Sequence, residues 1–163
     1  MYKVSKKASY SAWKRMVIRK RNHGQITRKH AEEMLRVSRA EVFHLVKEQL
    51  GEGRGVLTLG GFSYKQDVDT LVITNAAFDT DKRWRCLQEM VMWLKSTVSR
   101  SFYSRVEMQT SEWDNQAIKI LHQHRFTASP VSVRPFTDES GNHVTCFYEW
   151  SWEVDDRQVP AMR

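Results

Sequence analysis

The sequence predicts one α/β domain of the α+β kind, with a mixed, mostly antiparallel sheet of about six to seven strands flanked by about four helices. Residues 71–126 alternate in the order strand, helix, strand, helix. From His143 to Val154 apolar and polar residues alternate, which is typical of a strand with one buried face. The chain has 163 residues, of which 40% are hydrophobic, and this length suits a single core. We therefore expect one domain spanning residues 1–163.

The unit at residues 71–126 organises the rest of the chain. A strand is predicted at Leu71–Ile73, a second strand around Val106 and Met108, and a short helix at Asn115–Arg125. Between the strands lies a helix whose apolar residues recur at spacings of three and four and so form one stripe: Trp84, Leu87, Val91, Leu94 and Val98. The alternation predicts that the two strands are neighbours.

The N-terminal residues predict a strand and two helices. Residues 2–8 are predicted to form a short edge strand. Ser9 or Ser11 can cap a helix that ends at residues 22–24, and Thr27 can cap a second helix.

Residues 36–50 have two interpretations. In the first, residues 27–47 form a helix-turn-helix with Val37 and Ser38 in the turn, and residues 39–47 are a recognition helix in a major groove. In the second, residues 41–47 are a strand, residues 50–53 a turn and residues 54–64 the returning strand. A turn at residues 66–67 would then complete a three-stranded meander before the central helix.

The C-terminal part predicts further antiparallel strands. One run contains Val131 and Val133, and residues 138–142 favour a turn. The tail, residues 155–163, has no pattern. The strand after the turn is expected to bury one face, formed by Val144, Cys146, Tyr148, Trp150, Trp152 and Val154.

Positive charge is concentrated in the first third of the chain. Residues 1–50 contain 13 Lys or Arg and four Glu, a balance of +9, whereas the whole chain carries +7. This asymmetry favours a polyanionic partner such as nucleic acid. The candidate contact residues are Lys14, Arg15, Arg19, Lys20, Arg21, Arg28 and Lys29.

The cysteines and the hydropathy pattern predict an intracellular protein without a metal. Cys86 and Cys146 fit no metal-binding spacing and are expected to be buried hydrophobes in a reducing compartment. No apolar run reaches the roughly 20 residues of a membrane-spanning helix, so no membrane partner is expected. The expected location is the cytoplasm. Nothing in the sequence indicates the oligomeric state.

Residues 114–126 resemble a known family signature. The run Asp114-Asn115-Gln116-Ala117-Ile118 through Phe126 is similar to the fourth-helix signature of the GNAT (Gcn5-related N-acetyltransferase) superfamily. In that signature an Asn cap precedes Ala and an aliphatic residue, and Gly-Phe closes the helix. The element order of the second interpretation above resembles the same fold over nearly the whole chain. The resemblance implies a divergent or degenerate GNAT acyltransferase.

The resemblance implies an acyl-CoA cofactor, with its pyrophosphate on backbone amides at the start of the central helix. In this chain the loop is Asp79–Arg85. The family's leading Arg or Gln and its two small residues are replaced here by Asp79, Lys82 and Trp84. Basic side chains can offer charge to the phosphates instead. The expected cofactor-binding residues are Thr74, Lys82, Arg83, Trp84, Arg85 and Asn115.

The family's acid and base are also replaced. Leu121 stands where the family usually has Tyr, and no Glu occupies the strand before the central helix. Glu107, or one of the helix histidines His122 and His124, is expected to substitute in proton transfer, and catalysis by proximity alone is the alternative. The chain shares this Leu with degenerate GNAT-like proteins of tailed phages, including ones tied to virion assembly.

Three hypotheses follow. The first is an acyltransferase that moves an acyl group from CoA to an amine, on a nucleic acid or a nucleic-acid-bound substrate. The second is an inactive GNAT-like phage protein that acts in binding or virion assembly, with a location in the host cytoplasm or the virion. The third is a helix-turn-helix DNA-binding protein.

Overall fold

The computed structural model describes residues 1–36, 41–129, 132–137 and 143–154. Its helices are α1 (Tyr10–Asn22), α2 (Arg28–Leu35), α3 (Arg83–Ser99) and α4 (Asn115–Gln123), and a 3-10 turn at Thr80–Lys82 precedes α3. The strands are β1 (Tyr2–Val4), β2 (Val42–Gln49), β3 (Val56–Asp67), β4 (Thr70–Phe78), β5 (Arg105–Ser111), β6 (Thr127–Ala128), β7 (Ser132–Thr137) and β8 (His143–Glu153).

These strands form one mixed sheet in the order β1-β2-β3-β4-β5-β8, with β6 and β7 pairing successive parts of the far edge of β8. The sheet therefore has seven strand positions. β4 and β5 pair in parallel, and the other pairs between described strands are antiparallel. The predicted mixed sheet with four helices is confirmed, as is the adjacency of the two strands of the central unit.

Two hydrophobic cores lie on the two faces of the sheet. α3 and α4 cover one face, where Leu87, Val91, Leu94 and Val98 of the predicted stripe are all at most 3% exposed. α1 and α2 cover the other face around Trp13. The predicted face of β8 is buried at Trp150 and Trp152, but Phe147, predicted on the opposite face, is also buried.

The recognition helix predicted at residues 39–47 is wrong, because Val42–Gln49 form β2, which lies between β1 and β3 in the sheet. β2 pairs with both β1 and β3, and its residues Phe43 to Val46 are buried on both faces. A strand with two covered faces is a nearly continuous apolar run, which resembles a buried helix segment in sequence. The proposed turn at Val37 and Ser38 lies outside the described residues.

β4 is longer than the sequence predicts. It continues to Phe78 because β3 offers Gly60 and Gly61 opposite its final residues. A Cβ added at Gly60 would lie 2.1 Å from the carbonyl oxygen of Ala77. The close approach that this glycine allows holds residues 74–78 in the sheet, although Thr-Asn-Ala-Ala is a weak strand sequence.

Candidate active site between two splayed strands

β4 and β5 separate after a short stretch of pairing. Their register contains three pairs, the last of which joins Val72 and Glu107. β4 then continues to Phe78 beside β3, while β5 continues to Ser111 beside β8. The two parallel strands therefore open toward their carboxyl ends, which is the place where ligands bind in sheets of this kind.

Within the described residues, two cavities meet at this opening. One has a volume of about 640 Å³ and extends to α2 and to the starts of α3 and α4. The other has a volume of about 440 Å³ and lies against β5, β6 and β8. Four residues line both cavities: Ile73, Thr74, Met108 and Gln109. The gap between the strands thus connects two spaces in which two reactants can meet.

Thr74 lies at a β-bulge in β4. Ser63 pairs with Asn75 and Tyr64 pairs with Ile73, so β4 has one residue more than β3 at this point. The extra residue of a bulge is left out of the ladder. The Thr74 hydroxyl is 2.8 Å from that of Ser63, and the Asn75 amide donates to Ser63 at 3.1 Å. These bonds fix the bulge at the junction of the two cavities, where the sequence predicts a cofactor contact.

The start of α3 has no side-chain cap among the described residues. Neither the 3-10 turn after Asp79 nor α3 itself receives a cap hydrogen bond from a side chain. The other helices are capped, by Ser9, Thr27 and Asp114. The first amides of a helix have no partner within it, and an anion is stabilised there. The end of β4 therefore leads into a helix start that can receive an anion.

Lys20 is placed differently from the sequence prediction. Instead of lying on the basic surface, it is 3% exposed. Its ammonium group donates to Asp79 at 2.8 Å, to the carbonyl of Leu59 at 3.0 Å and to Gln25 at 3.2 Å. Lys20 therefore forms an internal ion pair with Asp79 and is not available to contact an external polyanion.

Arg83, the first residue of α3, is paired with the start of α4. It donates to the two carboxylate oxygens of Asp114 at 2.8 and 2.6 Å, and to Gln116 at 3.2 Å. The Arg83 side chain is 14% exposed. Both Arg83 and Asp114 line the larger cavity. Arg83, which the sequence predicts to bind phosphate, therefore lies at this cavity and is paired with Asp114.

The remaining basic residues of this loop face β1 and β2. Lys82 lies 3.5 Å from Glu48, whose charge raises the pKa of Lys82, and a hydrogen bond from Tyr2 lowers the pKa of Glu48. Arg85 stacks over the Tyr2 ring at 4.7 Å. Neither Lys82 nor Arg85 lines the two cavities.

Trp84 replaces a small residue of the family's loop without filling the opening. Its indole packs against the core beside α3, and the Lys119 ammonium lies 5.6 Å from its ring centroid. Trp84 does not line either cavity. The indole of Trp84 therefore lies outside both cavities, and the space at the start of α3 remains open.

Glu107 and His122, both predicted for proton transfer, lie in different places. Glu107 lines the smaller cavity and accepts a hydrogen bond from Arg105 at 2.8 Å. His122 is on the exposed side of α4, edge-on to Trp150, and lines neither cavity. Leu121 is 1% exposed in the core beneath α4. The structure therefore brings Glu107, and not His122, to the opening.

The fourth-helix signature differs from expectation at its cap. Asp114 caps α4 by accepting a hydrogen bond from the Ala117 amide at 3.2 Å, and Asn115 is the first, exposed residue of the helix. Ala117 lines the larger cavity, and Phe126 is buried as the signature predicts. The cap role predicted for Asn115 therefore belongs to Asp114.

The sequence analysis missed several residues that line the larger cavity. Gln25, His30 and Glu33 line the larger cavity from α2 and the loop before it, and His30 Nδ1 lies 3.7 Å from Glu33 Oε2. Trp113, 73% exposed, borders the same cavity before α4. No local pattern marks the residues on α2 and in the loop before it, because α2 reaches the opening through long-range packing.

The other predicted nucleic-acid-binding residues lie on the surface of α1 and at the start of α2. These exposed residues are Lys14, Arg15, Arg19, Arg21, Arg28 and Lys29. Arg28 lies 3.6 Å from Glu32, with both side chains more than half exposed. Trp13, Met16 and Val17 of α1 are buried, Ile18 is half-buried, and Tyr10 at the start of the helix is 44% exposed. The exposed face of α1 therefore presents mainly positive charge.

The described residues contain no group of three His, Cys, Asp or Glu side chains able to hold a metal ion. Cys86 is a buried free thiol, and burial raises its pKa to about 12. The side chain of Cys146 lies outside the described residues. Among the helices of the described residues, none combines the length and apolar character that crossing a bilayer requires.

Comparison with known proteins identifies the fold. No protein-family model and no curated protein matches the sequence. Solved structures do match. A probable acetyltransferase of the GNAT family from Chromobacterium violaceum is 15% identical, with a TM-score of 0.62 over 92% of this chain and 87% of that one.

Two further structures match at similar levels. The ribosomal-protein-S18-alanine N-acetyltransferase from Escherichia coli is 10% identical, with a TM-score of 0.63 over 95% of each chain. A Bacillus subtilis acetyltransferase in complex with CoA is 9% identical, with a TM-score of 0.63 over 95% of this chain and 100% of that one. The protein thus has the GNAT fold.

Proposed function

We propose that this protein is an N-acyltransferase that moves an acyl group from an acyl-CoA thioester to an amine. The observation that carries the proposal is the opening between β4 and β5, with two cavities that share Ile73, Thr74, Met108 and Gln109. A thioester in the larger cavity and an amine in the smaller one would meet at these residues. Holding two reactants in one geometry supplies much of the acceleration in a reaction of this kind.

The pyrophosphate end of acyl-CoA would lie at the start of α3, where the 3-10 turn and the helix have no side-chain cap among the described residues. Free amides and the helix dipole both favour an anion there. Arg83 would add a guanidinium at the same place. The bulge at Thr74 leaves backbone out of the ladder beside the gap, where an amide could polarise the thioester carbonyl.

Glu107 is the candidate base. An ammonium group must lose a proton before its nitrogen can attack a thioester, and Glu107 lines the cavity proposed for the amine. A carboxylate at this place can accept that proton directly or through water. Leu121 provides no acid, so the leaving thiolate would take its proton from solvent or from the amine.

The acceptor is proposed to be a nucleic-acid-associated amine. The exposed face of α1 carries Lys14, Arg15, Arg19 and Arg21, while Trp13, Met16 and Val17 are buried. Such a concentration of positive charge can attract a phosphate backbone. The test is the salt dependence of binding to a labelled oligonucleotide. Arg15→Ala should lower the slope by about one, whereas Arg100→Ala, a matched change at the far end of α3, should not.

A catalytically inactive acyl-CoA-binding protein is a second candidate. Leu121 is buried where the family usually has Tyr, and the first basic residue of α3 is held by Asp114. Both features are compatible with a protein that binds acyl-CoA but does not catalyse acyl transfer. A location in a virion or in the host cytoplasm would accompany this candidate if the chain is phage-encoded.

The experiment that separates the two candidates measures CoA thiol release from acetyl-CoA, with three amines offered in turn: a lysine peptide, a polyamine and an amine-bearing oligonucleotide. The acyltransferase proposal expects thiol release that depends on one of these amines, with the acetylated product found by mass spectrometry. Binding of acetyl-CoA without acetylation of any of them would favour the inactive protein. Absence of binding would contradict both candidates.

A further inference from the structure

The partly buried ion pair between Lys20 and Asp79 lies at the residue that precedes the 3-10 turn leading into α3. The Lys20 ammonium is bonded to Asp79 at 2.8 Å, to the Leu59 carbonyl at 3.0 Å and to Gln25 at 3.2 Å. An ammonium group has three hydrogens, so this one is fully used. The pair joins the end of α1, the sheet and the loop before α3.

This pairing explains why Asp79 does not cap the helix that follows it. Asp is among the preferred N-cap residues, and Asp79 immediately precedes the 3-10 turn, yet its side chain makes no cap hydrogen bond. One carboxylate oxygen is instead bonded to Lys20. If the Asp79 carboxylate were released, it would compete with an incoming phosphate for the same amides.

We infer that Lys20 is a positioning residue for acyl-CoA binding: it holds the Asp79 carboxylate away from the amides at the start of α3 and neutralises its charge. The inference rests on the proposed function. The pairing with Lys20 explains how an acidic residue, Asp79, can begin a loop that is proposed to bind phosphate. Lys20 touches neither the cofactor nor the acceptor in this arrangement and acts through Asp79.

The test is the affinity for acetyl-CoA, measured by calorimetry at a temperature where every variant is folded. Lys20→Met should weaken binding by about tenfold. Adding Asp79→Ala to that variant should restore the affinity to within about threefold, because the competing carboxylate is gone. Lys6→Met, an exposed lysine on the loop before α1, is the matched control and should bind like the wild type.

The outcomes separate this inference from the proposed function. If wild-type protein does not bind acetyl-CoA, the proposed function fails. If wild type binds and Lys20→Met binds equally well with a lower unfolding midpoint, Lys20 is merely structural and the inference is overturned. If Lys20→Met does not fold, the double variant Lys20→Met, Asp79→Ala provides the test. Near-wild-type affinity of this variant for acetyl-CoA would support the inference, and loss of binding would overturn it.

Discussion

Arg83 and Asp114 join the first residue of α3 to the N-cap of α4 through hydrogen bonds of 2.8 and 2.6 Å. Both residues line the larger cavity, so this ion pair lies at the wall of the space proposed for acyl-CoA. A bidentate pair of this kind fixes both partners. It holds the two helix starts together and competes for the guanidinium with any phosphate that enters.

Asp114→Asn should therefore increase the affinity for acetyl-CoA. Asn caps a helix about as well as Asp, so α4 is expected to remain intact while Arg83 loses its charged partner. Release of one guanidinium, together with loss of one negative charge, should tighten binding by about threefold in calorimetry. Asp67→Asn, on the exposed end of β3, is the control for a general change of charge. Weaker binding by Asp114→Asn alone would show that the ion pair is needed to shape the site.

Thr74→Phe should separate the two cavities. Thr74 lines both of them, and an aromatic side chain there would fill the place where thioester and amine meet. We expect at least about a 100-fold loss of acyl transfer. Thr74→Val keeps the size but removes the hydroxyl bonded to Ser63, and it should retain activity to within about fivefold. Equal losses in the two variants would assign the effect to the hydroxyl and contradict the steric explanation.

Glu107→Gln should reduce kcat by about 100-fold with little change in the KM for acetyl-CoA. The matched control is Glu153→Gln, because Glu153 also pairs with Arg105 but does not line the smaller cavity. The measurement is steady-state kinetics with whichever of the three amines supports thiol release. A similar loss in both variants would mean that Arg105, and not the proton transfer, is affected.

His44 should make the protein less stable in acid. It is 5% exposed beside Trp93, its Nδ1 is bonded to the Ser5 carbonyl, and Nε2 has no hydrogen-bond partner among the described residues. Burial lowers the pKa of His44 below its ordinary value of 6.5, and the charge of Lys7 acts in the same direction. As pH falls below about 6.5, the unfolded state takes up this proton first, so folding stability decreases.

Denaturant unfolding at about pH 7.5 and about pH 5.5 measures this loss. His44→Phe keeps an aromatic ring among its aromatic neighbours and removes the titration. The variant should lose less stability than the wild type between the two pH values. Equal losses would show that other groups cause the acid sensitivity.

The sequence predicts those parts of the fold that depend on local pattern. The stripe of α3, the caps at Ser9 and Thr27 and the alternation of β8 are all encoded within short segments. β4 was predicted to end at Ile73, because its extension to Phe78 depends on Gly60 and Gly61, which lie on another strand. β2 was ambiguous because both of its faces are buried, so it shows no alternation.

The candidate site was less predictable, because its charges are paired over long distances in sequence. Lys20 and Asp79 are 59 positions apart, and Arg83 and Asp114 are 31 positions apart. Counting charges in the basic third could not distinguish Lys20 from its exposed neighbours. Lys82 and Arg85 were predicted to meet phosphates, whereas Glu48 and Tyr2 hold them on the side of β1 and β2.

The central claim is that the opening between β4 and β5 binds an acyl-CoA thioester, and thermal unfolding in the presence of acetyl-CoA tests it most directly. A ligand at about a hundredfold excess over its Kd stabilises the folded state by about 2.7 kcal/mol. For a domain of this size that corresponds to a rise in Tm of about 5 to 10 °C. The account predicts such a rise, saturating with ligand and reduced in Thr74→Phe. An unchanged Tm at millimolar acetyl-CoA would contradict it.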